Sequence, residues 1–136
     1  MARTLRLEIV TPESKAYSEE VEMVVLPGTD GELGVYPNHV PVLTTLKPGE
    51  LRVLKEGRET ALAVGEGFAE ITGDSISVLT DMALESTAID ESAAEAAVER
   101  AKAAMKQDLG AEEVAAVQAS LQKALAQLNV KRRQRH

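Results

Sequence analysis

Two side chains in the run GELGVYPNHVP, residues 31–41, could carry chemistry: Glu32 and His39. A carboxylate and an imidazole can form an acid/base pair or bind a metal ion. One His and one carboxylate, however, lack the third protein ligand that even an open zinc site uses, and the remaining histidine is the terminal His136. No nucleophile elbow, P-loop or dinucleotide-binding motif occurs in the sequence. We therefore expect neither a catalytic site nor a metal site here.

The same run has the composition of a rigid surface loop. We expect positive φ at Gly28, Gly31 and Gly34, stiffening by Pro37 and Pro41, and a hydrogen bond from His39 to the backbone. A loop whose backbone is specified this closely is suited to docking against a partner.

Charge is distributed unevenly along the 136 residues, whose formal net charge is −7. The last six residues, KRRQRH, contain four of the 15 Lys and Arg and no acid, which leaves 11 bases against 22 acids elsewhere. The acidic body and the scarcity of aromatic residues exclude nucleic acid as an expected partner. We name residues 131–136 the basic tip; it is either a solvated terminus or a contact for an acidic surface.

Compartment is constrained by what the sequence lacks. There is no cysteine, which excludes disulfides and thiolate chemistry. The N-terminus shows a short alternating pattern instead of a leader, and no stretch approaches the roughly 20 apolar residues that span a bilayer. We expect a soluble protein that is not secreted and that reaches a membrane only through a partner.

Residues 1–84 have the pattern of a β-sandwich or flattened barrel, with short alternating runs between turn signals. TLRLEIV alternates, and SEEVEMVVLPG should place Val21, Met23 and Val25 on one face. Pro48 and Gly49 predict a turn with positive φ at the glycine. In FAEITGDSISVLTD, a two-residue Gly-Asp turn at residues 73–74 predicts a hairpin.

Residues 85–136 predict a linker and an antiparallel pair of helices rich in Ala, Glu, Lys and Arg. The first helix is expected to begin at Asp90, or at a capping box of Ser92 and Glu95, and to stop at Gly110. A narrow apolar seam follows at Val114, Val117, Leu121, Ala124 and Leu128. Because Ala adds little burial energy, the hairpin should be held loosely and could detach.

The runs GELGVYPNHVPVLTTLKPGELRV, GFAEITGDSISVLTD and AIDESAAEAAVERAKAAM resemble the epsilon subunits of bacterial F-type ATP synthase over nearly the whole chain. The resemblance implies a non-catalytic rotor subunit at the cytoplasmic face of the plasma membrane. Its sandwich would bind the gamma subunit and the polar loops of the c-ring, with Glu32 and His39 in the c-ring docking loop.

The resemblance also implies a mobile hairpin. In this family the helices lie folded on the sandwich or extend along gamma into the catalytic head, where they inhibit ATP hydrolysis. In the extended state, Lys131, Arg132, Arg133 and Arg135 would pair with an acidic loop of the beta subunits in the head.

A nucleotide site of some relatives is matched only in part. Ile89 and Asp90 fit the family motif, but Ala93 stands where that motif has an arginine. Arg100 and Lys123 keep basic character at contributing positions. Losing the arginine removes a charge-assisted contact to phosphate, so we expect no tightly bound ATP and no other cofactor.

Two alternative functions stay open from the residues. One is a generic sandwich and helix adaptor that acts outside any ATPase, which co-purification with a rotary complex would distinguish. The other is a regulator whose hairpin closes on a nucleotide, which calorimetry with ATP would test.

Overall fold

The computed structural model describes residues 3–134, which form a β domain followed by two helices. The strands are β1 (Leu5–Val10), β2 (Lys15–Val21), β3 (Met23–Gly28), β4 (Gly31–Val35), β5 (His39–Leu46), β6 (Gly49–Lys55), β7 (Arg58–Val64), β8 (Gly67–Gly73), β9 (Ser75–Thr80) and β10 (Ala83–Glu85). A 3₁₀ turn at Ser86–Ala88 leads into α1 (Glu91–Ala104) and α2 (Ala111–Gln134). The predicted order of β-sandwich and helix hairpin is confirmed.

Hydrogen bonds join the strands in the order β10-β7-β6-β3-β5-β8-β9-β1-β2, and β4 pairs with β3. The pair β1 and β9 is parallel, whereas the other pairs are antiparallel. The amide of Glu22 donates to the carbonyl of Leu54 at 2.8 Å, and Lys55 pairs with Glu19 at 2.7 Å. These contacts bring β2 back against β6, so the sheet folds over into two layers around one core.

The core of the sandwich consists of the inward-facing aliphatic residues of nearly every strand. Its fully buried members include Leu5, Leu7, Ile9, Val24, Leu26, Leu51, Leu62, Ile71 and Ile76. Strand β7 is buried on both faces, because Leu62 points into the sandwich and Ala63 packs against the helices. The small Ala side chain lets a helix approach the sheet closely.

Strand β3 corrects one predicted face. Val21, Met23 and Val25 do not share a face, because the chain bends between β2 and β3 and the alternation shifts by one residue. Val21 closes β2 in the core, while Val24 and Leu26 are the core residues of β3. Alternation carries over from one strand to the next only when the chain between them stays extended.

The glycines serve two different needs. Of those predicted to have positive φ, only Gly31 does, at 126°, so that prediction is wrong for Gly28, Gly34 and Gly49. A Cβ on Gly28 would lie 2.7 Å from the Gly31 carbonyl oxygen, and one on Gly49 would lie 3.1 Å from the Pro27 Cβ. Close approach of a backbone carbonyl, not left-handed φ, therefore requires glycine at residue 28, and close packing against the Pro27 ring favours glycine at residue 49.

The predicted hairpin at residues 73–74 is confirmed. Thr72 pairs with Ser75 across the turn, and Gly73 has a φ of 54°. The turn therefore uses the conformation that glycine reaches without steric cost.

The helix termini confirm one prediction and correct another. Asp90 caps α1, because its Oδ1 accepts the Ala93 amide at 3.1 Å. Gly110 does not end α1, which stops at Ala104 before the exposed residues 105–108. Instead the Gly110 carbonyl accepts the Val114 amide at 3.0 Å, and its own amide donates to Glu113 at 3.4 Å. Gly110 therefore caps the start of α2. Helix α1 ends earlier because residues 105–108 are exposed and have no packing partner among the described residues that would stabilise a further turn.

Helix α2 uses two faces near its C-terminal end. Ala124 and Leu128 pack against α1, whereas Ala126 and Val130 pack against the sheet. Of the predicted seam, Ala124 and Leu128 are buried and Val114, Val117 and Leu121 are only partly covered. The helix is thus anchored at one end and open to solvent at the other. Within residues 3–134, no helix is both long enough and apolar enough to span a bilayer.

Candidate functional site

Glu32 stands at the start of β4, beside a tight turn. Pairing of Pro27 with Glu32 and of Gly28 with Gly31 leaves a two-residue turn at 29–30. The Glu32 side chain is 62% exposed and accepts a hydrogen bond from Arg52 Nη2 at 3.2 Å. The carboxylate is therefore presented at the surface and oriented by a guanidinium.

His39 lies at the other end of this run, at the start of β5. Its Nδ1 lies 2.6 Å from the Val40 carbonyl oxygen, which is the backbone hydrogen bond expected from the sequence. The preceding Asn38 has a φ of 67°, and its amide donates to Asp74 Oδ1 at 2.7 Å. The loop is thereby fixed to the β8–β9 turn.

Glu32 and His39 have separate partners. Throughout residues 3–134 no hydrogen bond or ion pair joins these two side chains, and no three His, Cys, Asp or Glu converge as metal ligands. What the two residues share is a closely specified loop at the surface of the sandwich.

An apolar patch that the sequence reasoning missed covers the outer face of β5, β8 and β9. We name it the outer patch; it consists of Leu43, Phe68 and Leu79, which are 70%, 48% and 46% exposed. Phe68 and Leu79 pair directly across β8 and β9. The outward positions of the alternating run in residues 67–73 include Phe68, and this was the signal available in the sequence. Large exposed side chains on adjacent strands mark a surface for protein contact.

The residues of the partial nucleotide motif lie in different settings. Ile89 is buried against the sheet, and Asp90 is occupied as the cap of α1. Lys123 pairs with Asp81 at 2.7 Å, which directs its ammonium group to the sandwich. Arg100 is exposed and borders a groove of about 410 Å³ between the helices, lined mainly by Ala side chains. Ala93 contributes its amide to the cap and no cation.

Three residues of the basic tip contact the chain itself. Lys131 Nζ donates to the Ser86 carbonyl at 3.0 Å, and Arg132 pairs with Glu91 at 3.2 Å and Glu95 at 3.1 Å. These contacts tie the last turn of α2 to the 3₁₀ turn and to the start of α1.

The third tip residue contacts the sandwich. Arg133 pairs with Glu50 on β6 and, at 3.6 Å, with Glu59 on β7. Arg135 lies outside the described residues. These partners could not be predicted from the sequence, because they depend on how the hairpin lies against the sheet.

The fold and its surfaces define a two-part protein: a β-sandwich that carries the surface loop of residues 31–41 and the outer patch, and a helix hairpin folded onto it. Two family models match this chain: the beta-sandwich domain of the ATP synthase delta/epsilon chain at residues 4–86, and its long alpha-helix domain at residues 88–132. The chain belongs to the ATP synthase delta/epsilon family.

Individual relatives match along nearly their whole length. The ATP synthase epsilon chain of Laribacter hongkongensis is 45% identical over 127 residues, covering 92% of this chain and 91% of the relative. That of Syntrophobacter fumaroxidans is 43% identical over 130 residues, covering 96% and 97%. A chain in the mitochondrial ATP synthase of Euglena gracilis has the same fold, with a TM-score of 0.77, 22% identity and coverage of 90% and 78%.

Proposed function

We propose that this chain is a non-catalytic rotor subunit of a bacterial proton-translocating ATP synthase. The observation that carries the proposal is the match of both domains, in order, to epsilon chains over more than 90% of their length. Its partners are then the gamma subunit, the c-ring, and the alpha and beta subunits of the catalytic head. Its location is the cytoplasmic face of the plasma membrane, held there by the complex.

The sandwich has two surfaces suited to two rotor partners. The loop with Glu32 and His39 docks against the polar loops of the c-ring, because it presents an oriented carboxylate on a fixed backbone. The outer patch docks against gamma, because three large apolar side chains on adjacent strands gain by being covered. A generic adaptor would use the same surfaces, and co-purification with the rotor distinguishes the two functions.

The hairpin inhibits ATP hydrolysis by leaving the sandwich and entering the head. Its support is the one-sided anchoring of α2, whose first half is largely exposed. The cluster between the helices contains the buried residues Ala94, Val98, Ala124 and Leu128, with Ala97, Leu121 and Leu125 only partly buried beside them. A helix whose first half is exposed and whose interface is partly made of alanine can exchange between two arrangements separated by only a few kcal/mol.

The basic tip acts in both arrangements under this proposal. Folded down, Lys131, Arg132 and Arg133 satisfy groups of the chain itself; extended, together with Arg135, they pair with acidic residues of the head. Neutralising all four to Gln therefore weakens both states, and the change in inhibition measures only the difference. An assay that fixes one state separates the two roles.

A disulfide can fix the folded state, since the chain has no cysteine of its own. Ala63 on β7 and Ala126 on α2 lie in one buried cluster, so we choose them for a cysteine pair, and loss of both free thiols on oxidation verifies that the disulfide forms. ATP hydrolysis by a head and gamma complex should be inhibited by the reduced double variant and not by the oxidised one. Each single cysteine variant is the matched control and should inhibit under both conditions. Equal inhibition by the oxidised and reduced double variants would disprove the mobile hairpin.

We infer that ATP binds this chain only weakly, in the high micromolar range or worse, on the order of −5 kcal/mol. The inference is supported by Ala93 at the arginine position and by the engagement of Lys123 with Asp81. Calorimetric titration of the full chain tests it, and Ala93→Arg should tighten binding by restoring a guanidinium for phosphate. A low-micromolar site in the unmodified chain would contradict the inference and favour a nucleotide-sensing regulator.

A further inference from the structure

Glu50 lies between two guanidinium groups on the outer face of β6. Arg52 follows it by two residues on the same strand, so both side chains project from one face. Arg52 Nε lies 3.9 Å from Glu50 Oε1, and Arg133 Nη1 of α2 contacts that same oxygen. The Glu50 side chain is only 16% exposed. One partly buried carboxylate oxygen thus serves both a strand cation and the last turn of the hairpin.

The row of charges continues at both ends. Arg52 Nη2 also pairs with Glu32 of the docking loop at 3.2 Å, and Arg133 Nη2 lies 3.6 Å from Glu59. We name these five residues, in the order Glu32, Arg52, Glu50, Arg133 and Glu59, the charge row. Its signs alternate from end to end, and it joins the β3–β4 turn to the C-terminal end of α2.

We propose that the charge row couples the docking loop to the hairpin, so that engagement of Glu32 by a cationic group loosens the folded hairpin. When Glu32 is withdrawn, Arg52 loses its exposed partner and turns to Glu50, where it competes with Arg133 for one oxygen. Identifying the cationic group with the c-ring rests on the proposed function, whereas the coupling itself is a property of this chain alone.

The sign of the coupling follows from the order of the charges. Glu32 offsets the repulsion between Arg52 and Arg133, which both face Glu50. When Glu32 is removed, Arg52 and Arg133 share the Glu50 carboxylate and the contact of Arg133 weakens. When Arg52 is removed, Arg133 keeps that carboxylate to itself and its contact strengthens. Because the ends of the row are exposed, the effects are screened by salt and should amount to changes of about two- to fivefold. The coupling rests on one atom, Glu50 Oε1, which contacts both Arg52 and Arg133.

Amide hydrogen exchange of the full chain measures the coupling directly. The rates for residues 121–133 of α2 report opening of the hairpin, and those for β8 and β9 report unfolding of the sandwich. Glu50→Gln and Arg133→Gln should speed exchange in α2 by about three- to fivefold, and the double variant should add little to either. Glu32→Gln should speed it about twofold, and Arg52→Gln should slow it.

The decisive comparison is Glu32→Gln in two backgrounds. Its effect should vanish when Arg52 is already Gln, because the row is then cut, and should vanish in 0.5 M salt. Asp30→Asn is the matched control: it removes one negative charge from the same turn, where the described residues give Asp30 no ion pair. It should leave exchange in α2 unchanged.

Several results would overturn the coupling. These are equal effects of Glu32→Gln and Asp30→Asn, an effect of Glu32→Gln that persists without Arg52, or unchanged exchange in Arg133→Gln. If Glu50→Gln also speeds exchange in β8 and β9, it destabilises the sandwich, and Arg133→Gln then becomes the test variant. The Arg133 side chain is 52% exposed and lies on α2, so its replacement leaves the sandwich intact. No rotor partner is present, so failure here leaves the proposed function standing, and loss of c-ring binding leaves the coupling standing.

Discussion

The sandwich and the hairpin bury their apolar residues in very different ways. In the sandwich, Leu, Ile and Val side chains from facing strands are almost fully buried. In the hairpin, half of the buried residues in the interhelical cluster are alanines, and the groove beside it holds about 410 Å³ of open space. Burying a Leu or Ile side chain contributes about 1.5–3 kcal/mol, whereas a methyl group contributes about 0.8 kcal/mol. We therefore expect the sandwich to be the more stable part and the hairpin to be the part that opens first.

The largest expected effect is on the free energy of unfolding of the sandwich, and it is tested by replacing a buried and an exposed leucine with alanine. Leu7→Ala removes a fully buried side chain and should destabilise the protein by about 2–5 kcal/mol. Leu43→Ala makes the same change at a residue that is 70% exposed and should cost under about 0.5 kcal/mol. Urea unfolding of both full-length variants gives the comparison. Similar losses would mean that the outer patch is part of the folding core.

The next effect tests whether the hairpin opens alone. Leu128 is 4% exposed between α1 and α2, and Leu128→Ala should cost the helices about 2–3 kcal/mol of local stability. Amide exchange should accelerate in both helices, while the rates in β8 and β9 and the melting temperature of the sandwich change little. Equal acceleration in the sandwich would show that the two parts unfold as one unit.

Some local signals were sufficient, although the face assigned to Val21, Met23 and Val25 was wrong. The alternation predicted for TLRLEIV is confirmed, since Leu5, Leu7 and Ile9 lie in the core, and Asp90 was predicted as a cap from its place before a helix-forming run. The prediction for Gly49 was wrong, because the preference for glycine there arises from packing against Pro27 on β3, three strands earlier in the sequence.

The candidate site divides in the same way. The surface loop was predicted from residues 31–41 alone, since its glycines and prolines are close together in sequence, and its docking role stays a prediction. The partners of the basic tip were not, because Arg133 and Glu50 are separated by 83 residues and meet only when the hairpin folds onto β6 and β7. The outer patch was missed for a related reason: each of its apolar residues stands on a different strand.

A smaller effect distinguishes the two caps considered for α1. Asp90→Ala removes the acceptor of the Ala93 amide and should cost the helix about 1 kcal/mol. Ser92→Ala alters the exposed residue of the rival capping box and should cost much less, because α1 already begins at Glu91. Amide exchange of residues 93–101 in the full chain compares the two variants. A larger effect for Ser92→Ala would move the start of the helix.

The smallest effect concerns the closure of the sandwich and its dependence on pH. The hydrogen bond from Lys55 is the main cause that lowers the pKa of Glu19, and the same bond raises the pKa of Lys55. The side chains of Lys55 and Glu19 are 37% and 47% exposed, so solvent screens the pair, which should shift the melting temperature by no more than about 2 °C.

The sign follows from the direction of each shift. A lowered pKa for Glu19 means that its contribution is present above about pH 4.3, the usual value for Glu, and is lost as pH falls through the lower folded-state pKa. A raised pKa for Lys55 means that its contribution is present below about pH 10.4 and is lost above that. The melting temperature of Glu19→Gln should therefore lie slightly below that of the unmodified chain at pH 7 and converge with it near pH 3. Glu13→Gln, which changes an exposed carboxylate just before β2, is the control and should show no such convergence. A difference that stays constant from pH 7 to pH 3 would mean that the packing of β2 against β6, and not this ion pair, closes the sandwich.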